Sequence, residues 1–464
     1  MKLIKVTFEE AVPHALDIAI VSVSDKKENE VIKLATGQKS LSVGAGDLEK
    51  VNRRKLIILF RKIIFLAKAH KIKKLAVRFP DFDFPNIDDS KQDLAELAAI
   101  SFEMANFEFV KYKSKPEDGW DFVEEIIIVT GFRDKSIQEG IRVGQIIGQE
   151  VNRCRELANT PGGEMTPVLL AAAAKNAVKG TKVQVSVLGK KELRRLKMGG
   201  ILGVAQGSQE IPQFIIMEYH GAKPADKPVV LIGKGVTFDT GGLNLKPSDY
   251  IYEMHMDMSG GAAVIHALVL ASRLGIQKNI IGLIPAVENM PSGSSYRPGD
   301  MLRTMSGKTI EVLNTDAEGR IILADALEYS KRYKPQLIVD VATLTGAAAS
   351  ALGQHASAIL TDDSNLEKMM RELGEESGDY VWPLPLWEEY EAEVKGTFGD
   401  IANVGKTKYG GTITGGIFLW QFIKGYPWVH IDMVPRMTAV EGEYLAKGAA
   451  GAPVRLLIKL LERV

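Results

Sequence analysis

At 464 residues the chain exceeds one ordinary domain, and at about 100 to 200 residues per domain it has room for two or three and for a large buried core. Its 45% hydrophobic and 25% charged residues are the composition of a globular protein and exclude a disordered or fibrous one. Lys plus Arg equals Asp plus Glu at 58 each, so no overall basic field points to nucleic acid and no acidic excess to a solvating tail.

The opening run MKLIKVTFEEAVPHALDIAIVSV is interrupted by Lys, Glu, Pro, His and Asp, unlike the apolar core of a signal peptide. No later segment offers about 18 uncharged apolar residues in a row, so the expectation is a cytoplasmic protein without a membrane partner. Up to about residue 150, β-rich LDIAIVSV, KLAVRF and VEEIIIVTGF alternate with helical KLIILFRKIIFLAKA and DLAELAAISFEMANF, around a polar loop KSKPEDGWD. This order predicts an N-terminal α/β domain over 1–150 with a largely parallel sheet. SIQEGIRVGQIIGQEVNRCRELA keeps a helical spacing across the boundary. It carries Cys154, the only cysteine, which excludes an intrachain disulfide and fits a reducing compartment. With no adjacent His, Cys154 reads as a small buried hydrophobe.

After ANTPGGEMTP, where Thr166-Pro167 opens the helix PVLLAAAAKNAVKG, a second α/β run fills 151–464. KVQVSVLG, FIIMEYHG, PVVLIGKG, NIIGLIPAVEN, QLIVDVATLTG and WVHIDM are strand candidates, with GGAAVIHALVLASRLG and RIILADALEYSKRY as helices between them. The prediction is a larger C-terminal α/β domain, a mixed sheet flanked by helices, with ligands at strand C-terminal ends.

Chemistry concentrates where these strands run into loops. VVLIGKGVTFDTGGLNLKP carries Lys234, Asp239 and Lys246 among glycines that let backbone approach a ligand, and MHMDMSGGAAV carries Asp257. VDVATLTGAA ends in Thr343, Leu344, Thr345 and Gly346, and NTDAEGR contributes Asp316, Glu318 and Arg320. Taken alone, NTDAEGR is a good helix start, since Thr315 and Glu318 have capping-box spacing. Nucleotide motifs fail on spacing: GKGVTFDTG lacks the third glycine of GxGxxG, and Leu302 stands where a P-loop preceding Gly307-Lys308-Thr309 needs glycine. What remains is an oxygen-donor set, Asp239, Asp257, Asp316 and Glu318, suited to divalent cations; four carboxylates offset two dications.

These blocks, with PAVENMPSGSSYRPGD, resemble in type and order those of the leucyl aminopeptidases, the cytosol aminopeptidase family of dinuclear metallopeptidases, over roughly 150–464. The resemblance implies that Asp239 and Glu318 bridge two ions (Mn or Zn, with Mg or Co as alternatives). Asp316 then completes one shell, partly through its carbonyl, and Lys234 with Asp257 the other. A lysine ligand needs the neutral amine, which adjacent cations favour. It further implies hydrolysis of the N-terminal bond of peptides with a free N-terminus, leucine-like residues preferred, by a metal-bridging hydroxide. Lys246 would stabilise the oxyanion, and Arg320 would hold a bicarbonate acting as general base, with backbone help from Leu344. Met254, Thr343 and Gly346 would line the first side chain's pocket, while His255 is left out because the family does not use that position. A homohexamer with sites facing an interior cavity is implied as well. Two departures, Gly162-Gly163 and the run WVHIDMVPRMTA, bear on loop shape and pocket size. Two other readings compete: two-metal phosphoester hydrolysis on the same carboxylates, and a DNA-binding or otherwise non-catalytic family member, which the balanced charge does not favour.

Overall fold

The computed structural model describes residues 3–464 and divides them into two compact units. One runs to Asn152 and takes in residues 439–447; the other comprises Arg153–Thr438 and Gly448–Val464. The return of 439–447 to the first unit is a detail of chain path that no composition change in the sequence marks.

The first unit is built on a six-stranded sheet in the order Lys5–Glu9, Glu125–Val129, Lys74–Arg78, Ile18–Ser24, Lys39–Gly44, Glu30–Lys33. All neighbours are parallel except the last pair. The helix Arg53–Ala69 starts where the Asn52 side chain accepts from the Lys55 N–H, and it buries Leu56, Phe60, Ile63 and Ile64 in the core. Lys91–Asn106 lies against Lys135–Ala158 through Gly140, Gly144 and Gly148. A Cβ at Gly140 would stand 2.2 Å from the Gln92 carbonyl oxygen and one at Gly144 2.3 Å from that of Glu96, so this spacing of glycines sets how closely the helices approach.

The second unit carries a nine-stranded mixed sheet. Its centre is four parallel strands, Trp428–Asp432, Leu337–Ala342, Val229–Gly233 and Asn279–Asn289. Antiparallel Ser357–Leu360 lies on one side and Gln213–His220 with Gln184–Leu188 on the other, while Gly235–Asp239 extends alongside the end of Asn279–Asn289. Central strands buried on both faces read as unbroken apolar runs, as VVLIG does. The helices Ser259–Leu274 and Glu318–Ser330 cover the sheet and are buried nearly all round. The stretch 248–274 is long and apolar enough to cross a membrane, but 89% of its apolar window is buried within the protein, as in a core helix. Lys234, Asp239, Thr343 and Asp432 all stand at or just past the C-terminal ends of sheet strands, which is where a doubly covered sheet opens to ligands.

Candidate active site

Each acid or base arrives at the cavity for a local reason. Lys234 follows the strand Val229–Gly233, and a Cβ at Gly233 would meet the Gly260 carbonyl oxygen at 2.5 Å, so glycine there lets the helix Ser259–Leu274 press against the strand end. Asp239 closes its strand opposite Asn289, whose amide donates to Asp239 Oδ1 at 2.8 Å and to the Thr315 carbonyl at 2.9 Å. Gly241 and Gly242 then adopt φ of 87° and 64°, a turn that glycine makes without strain, and the chain doubles back to present Lys246. Thr315 clasps that turn: its hydroxyl donates to the Gly241 carbonyl at 2.6 Å and accepts from the Asn244 N–H at 2.8 Å. Asp257 sits just before the helix Ser259–Leu274 and accepts from the Thr343 hydroxyl at 2.6 Å.

The capping box predicted in NTDAEGR does not form. The helix begins at Glu318 after Ala317 with no side-chain cap, because Thr315 is committed to the 241–244 turn and Glu318 to Lys234. The Lys234 ammonium lies 2.7 Å from Glu318 Oε1, 2.8 Å from Asp257 Oδ2 and 2.8 Å from the Thr343 carbonyl. Lys246 pairs with Asp239 Oδ2 at 2.8 Å and with Asp316. Carboxylate oxygens of Asp239, Asp316 and Glu318 come within 4.8 Å of one another.

Four carboxylates against two ammonium groups leave a negative excess in a largely buried setting. Burial, compounded by Glu318 and Asp257, pushes the Asp239 carboxyl well above the usual range. Burial also raises Asp257 and Asp316, with Glu318 adding to both. For Glu318 burial acts upward too, but Lys234 and Lys246 outweigh it and the net shift is down. Both lysines run the other way: burial favours the neutral amine, and the surrounding carboxylates overcome it and hold each ammonium above the lysine range. Closely spaced oxygen donors with unbalanced negative charge and no Cys or His fit divalent cations, so Asp239, Asp316 and Glu318, with Asp257 and Lys234 beside them, are the residues that could hold metal.

The cavity, about 350 Å³, is lined by Lys234, Asp239, Lys246, Asp257, Asp316 and Glu318, by the expected pocket residues Met254, Thr343 and Gly346, and by Leu344, which was expected at the bicarbonate site. Arg320 lies behind this wall. Its guanidinium is buried, Nη1 donates to the Asn403 carbonyl at 2.9 Å, and Nε has no hydrogen-bond partner among the described residues, an opening that suits a small anion. Burial lowers its pKa to about 10 against the pull of Glu318 and Asp432, so it stays a cation at neutral pH. The Leu344 N–H donates to Asp432 Oδ1 at 3.2 Å. Sequence reasoning missed Asn289, Asn403, Asp432 and the lining residues Tyr250, Val434 and Met437. Asn289 ends the strand candidate NIIGLIPAVEN, and a polar residue closing an apolar strand was the available signal; Asn403 carried none. Gly162, one of the departures, has a structural reason, since a Cβ there would stand 2.7 Å from the Phe238 ring.

The catalytic-domain profile of the cytosol aminopeptidase family matches residues 152–458, and that of its N-terminal domain matches 25–116. A probable cytosol aminopeptidase of Azoarcus sp. (strain BH72) is 46% identical over 325 residues, covering 70% of this chain and 64%, just under two thirds, of that relative. One of Saccharophagus degradans is 36% identical over 449 residues, covering 96% of this chain and 87% of that one. Among solved structures, the bottromycin maturation enzyme BotP in complex with Mn superposes with a TM-score of 0.85 at 29% identity, covering 97% of this chain and 99% of that one. From the glycine turn that delivers Lys246 to the carboxylates around Lys234, and across both matched regions, the chain belongs to the cytosol aminopeptidase family.

Proposed function

We propose that the protein is a metal-dependent aminopeptidase that hydrolyses the N-terminal bond of peptides, leucine-like first residues preferred. The observation that carries this is the cluster of four carboxylates and two lysines on one cavity wall, with Arg320 buried behind it. Asp239, Asp257, Asp316 and Glu318, with Lys234, would hold two divalent ions. Bound there, such ions supply Lewis acidity toward the scissile carbonyl and lower the pKa of an attacking water.

The chain's own groups do the rest. Asp257 is the carboxylate beside which a substrate's free N-terminal amine would dock, and a blocked terminus brings no amine to it. Lys246, which reaches the carboxylates of Asp239 and Asp316, is the donor available to charge developing on the carbonyl oxygen. Arg320 cannot act as a base, and as a planar cation with an open Nε it would orient bicarbonate to accept a proton. Met254, Thr343, Val434 and Met437 surround room for one apolar side chain. A homohexamer in the cytoplasm is part of the same proposal, checked by light scattering.

The test is a panel of aminoacyl p-nitroanilides with each substrate's N-acetyl counterpart. The unblocked leucine compound is expected to be cleaved, and its acetylated form to be cleaved at least about a hundredfold more slowly. Equal rates on the two would reject the aminopeptidase assignment.

A further inference from the structure

The residue that joins the cavity's walls is not one of its lining residues. Asp432 ends the strand Trp428–Asp432 and is fully buried. Its Oδ1 accepts from the Leu344 N–H at 3.2 Å and from the Val434 N–H at 3.3 Å, and its Oδ2 accepts from the Thr345 hydroxyl at 2.6 Å. Leu344, Thr345 and Val434 all line the cavity, and they come from two separate strand ends.

The strand that carries it is itself tied to its neighbour. Two residues back on the same strand, His430 Nδ1 lies 2.5 Å from Asp340 Oδ1, and Trp428 Nε1 donates to Asp340 Oδ2 at 2.6 Å, all of them buried. Asp340 pairs in register with His430, and Ala342 with Asp432, so the two strands are cross-linked by side chains as well as by their ladder. Past Asp432 the network continues: the Thr345 hydroxyl is 2.9 Å from that of Thr412 and accepts from the Ala348 N–H at 3.3 Å, starting the helix Gly346–Leu352. A Cβ added at Gly415 would meet Leu344 Cδ2, Thr345 Cγ2 and Arg320 Nη2 at 3.2, 3.3 and 3.5 Å, so the Leu344–Thr345 segment also packs beside the Arg320 guanidinium.

We propose that Asp432 is a positioning residue for the aminopeptidase reaction: by tying Leu344 and Thr345 to Val434 it fixes the width of the cavity that receives the substrate's first side chain. This rests on the peptidase assignment for its consequence, though not for its geometry. A buried carboxylate bonded to three groups from two strand ends is expensive to keep unless it organises them. Touching neither substrate nor the proposed metal ligands, it acts through the walls.

Three variants and two readouts test it. In Asp432→Ala, amide hydrogen exchange at Leu344 and Val434 is expected to quicken at least about tenfold, with Val429 and Ile431 on the strand unchanged. In kinetics, kcat/KM on leucine p-nitroanilide is expected to fall about tenfold, chiefly through KM, and the leucine-to-alanine preference to narrow, with metal content per chain unaltered. Asp432→Asn keeps an Oδ1 acceptor for both amides and restores exchange and preference to within about threefold. Thr345→Val removes one of the three bonds and carries the test if Asp432→Ala does not fold. Exchange that rises equally along the whole strand, or an unchanged substrate preference with only kcat reduced, overturns the proposal. A wild-type protein inert on every aminoacyl substrate overturns the peptidase assignment instead, and the exchange arm then still decides whether Asp432 holds the walls.

Discussion

Gly319, inside NTDAEGR, separates what the fold tolerates from what the site requires. Its backbone is helical, and in a helix alanine is ordinarily favoured over glycine by about 1 kcal/mol. A Cβ on Gly319, however, would lie 2.7 Å from Lys234 Cε, 2.8 Å from Nζ and 2.9 Å from Cδ. Carbon atoms settle at about 3.5–4.0 Å, so the lysine tip must retreat by about 1 Å. That tip is buried and ion-paired, so the retreat carries an overpacking cost, and the loss of stability is expected to stay within about 3 kcal/mol. The same retreat pulls the amine from Glu318 at 2.7 Å and Asp257 at 2.8 Å. A misplacement of about 1 Å at a reacting centre costs on the order of a hundredfold in rate. Gly319→Ala is therefore expected to fold normally, bind Mn more weakly and lose about a hundredfold in kcat/KM on leucine p-nitroanilide. Gly163→Ala, where a Cβ meets nothing within 4 Å, is the control and should behave as wild type. Wild-type kcat/KM in Gly319→Ala would refute the role given to Lys234.

Three more outcomes follow from the same geometry. Glu318→Gln should leave the circular dichroism spectrum unchanged, since Glu318 makes no helix cap, while lowering turnover by at least about a hundredfold; retained turnover would return Glu318 to a structural part. Lys246→Met should lower kcat about 10²- to 10³-fold with a smaller effect on KM, as expected for a donor used mainly in the transition state. Glu103, in the first unit, is pushed by burial from 4.5 up to about 7, opposed in part by its bonds with Gln145 and Gln149. A carboxyl raised on folding contributes stability that is complete below pH 4.5 and lost as pH rises through about 7. At about 1.4 kcal/mol per pH unit this amounts to about 3.5 kcal/mol. Urea melts should find Glu103→Gln more stable than wild type at pH 8 by up to that amount and the difference gone near pH 4; a constant difference across pH would contradict it.

The parts of this molecule legible in its sequence are those governed by local rules. Apolar runs such as VVLIG announce strands covered on both faces, and all four central strands of the larger sheet were strand candidates, Leu337–Ala342 and Trp428–Asp432 despite the Asp340 and His430 that interrupt them. Lys234 and Asp239 were visible because they end apolar strands, where core packing has no use for them; Lys246, Asp257, Asp316 and Glu318 lie in a turn or at helix starts and were singled out by the blocks that resemble the family. What stayed hidden depends on distant partners. Thr315 and Glu318 have the spacing of a capping box, and only the approach of Gly241 and Lys234 diverts both from it. Asn403 meets Arg320 from 83 residues away through its carbonyl, which any residue type possesses. Asp432 looked like the polar end of a strand until Leu344, Thr345 and Val434 appeared around it. The short strands Thr309–Glu311 and Ile401–Ala402 carry too few residues for any periodicity.

The most direct measurement is a titration of chelator-stripped protein with Mn²⁺, following bound metal and hydrolysis of leucine p-nitroanilide in the same samples. The proposal predicts that activity is lost on stripping, returns as metal binds and levels off near two ions per chain, with Zn²⁺ also restoring it. Protein carrying two ions per chain yet inert on leucine p-nitroanilide and on a broad panel of other aminoacyl substrates would contradict it.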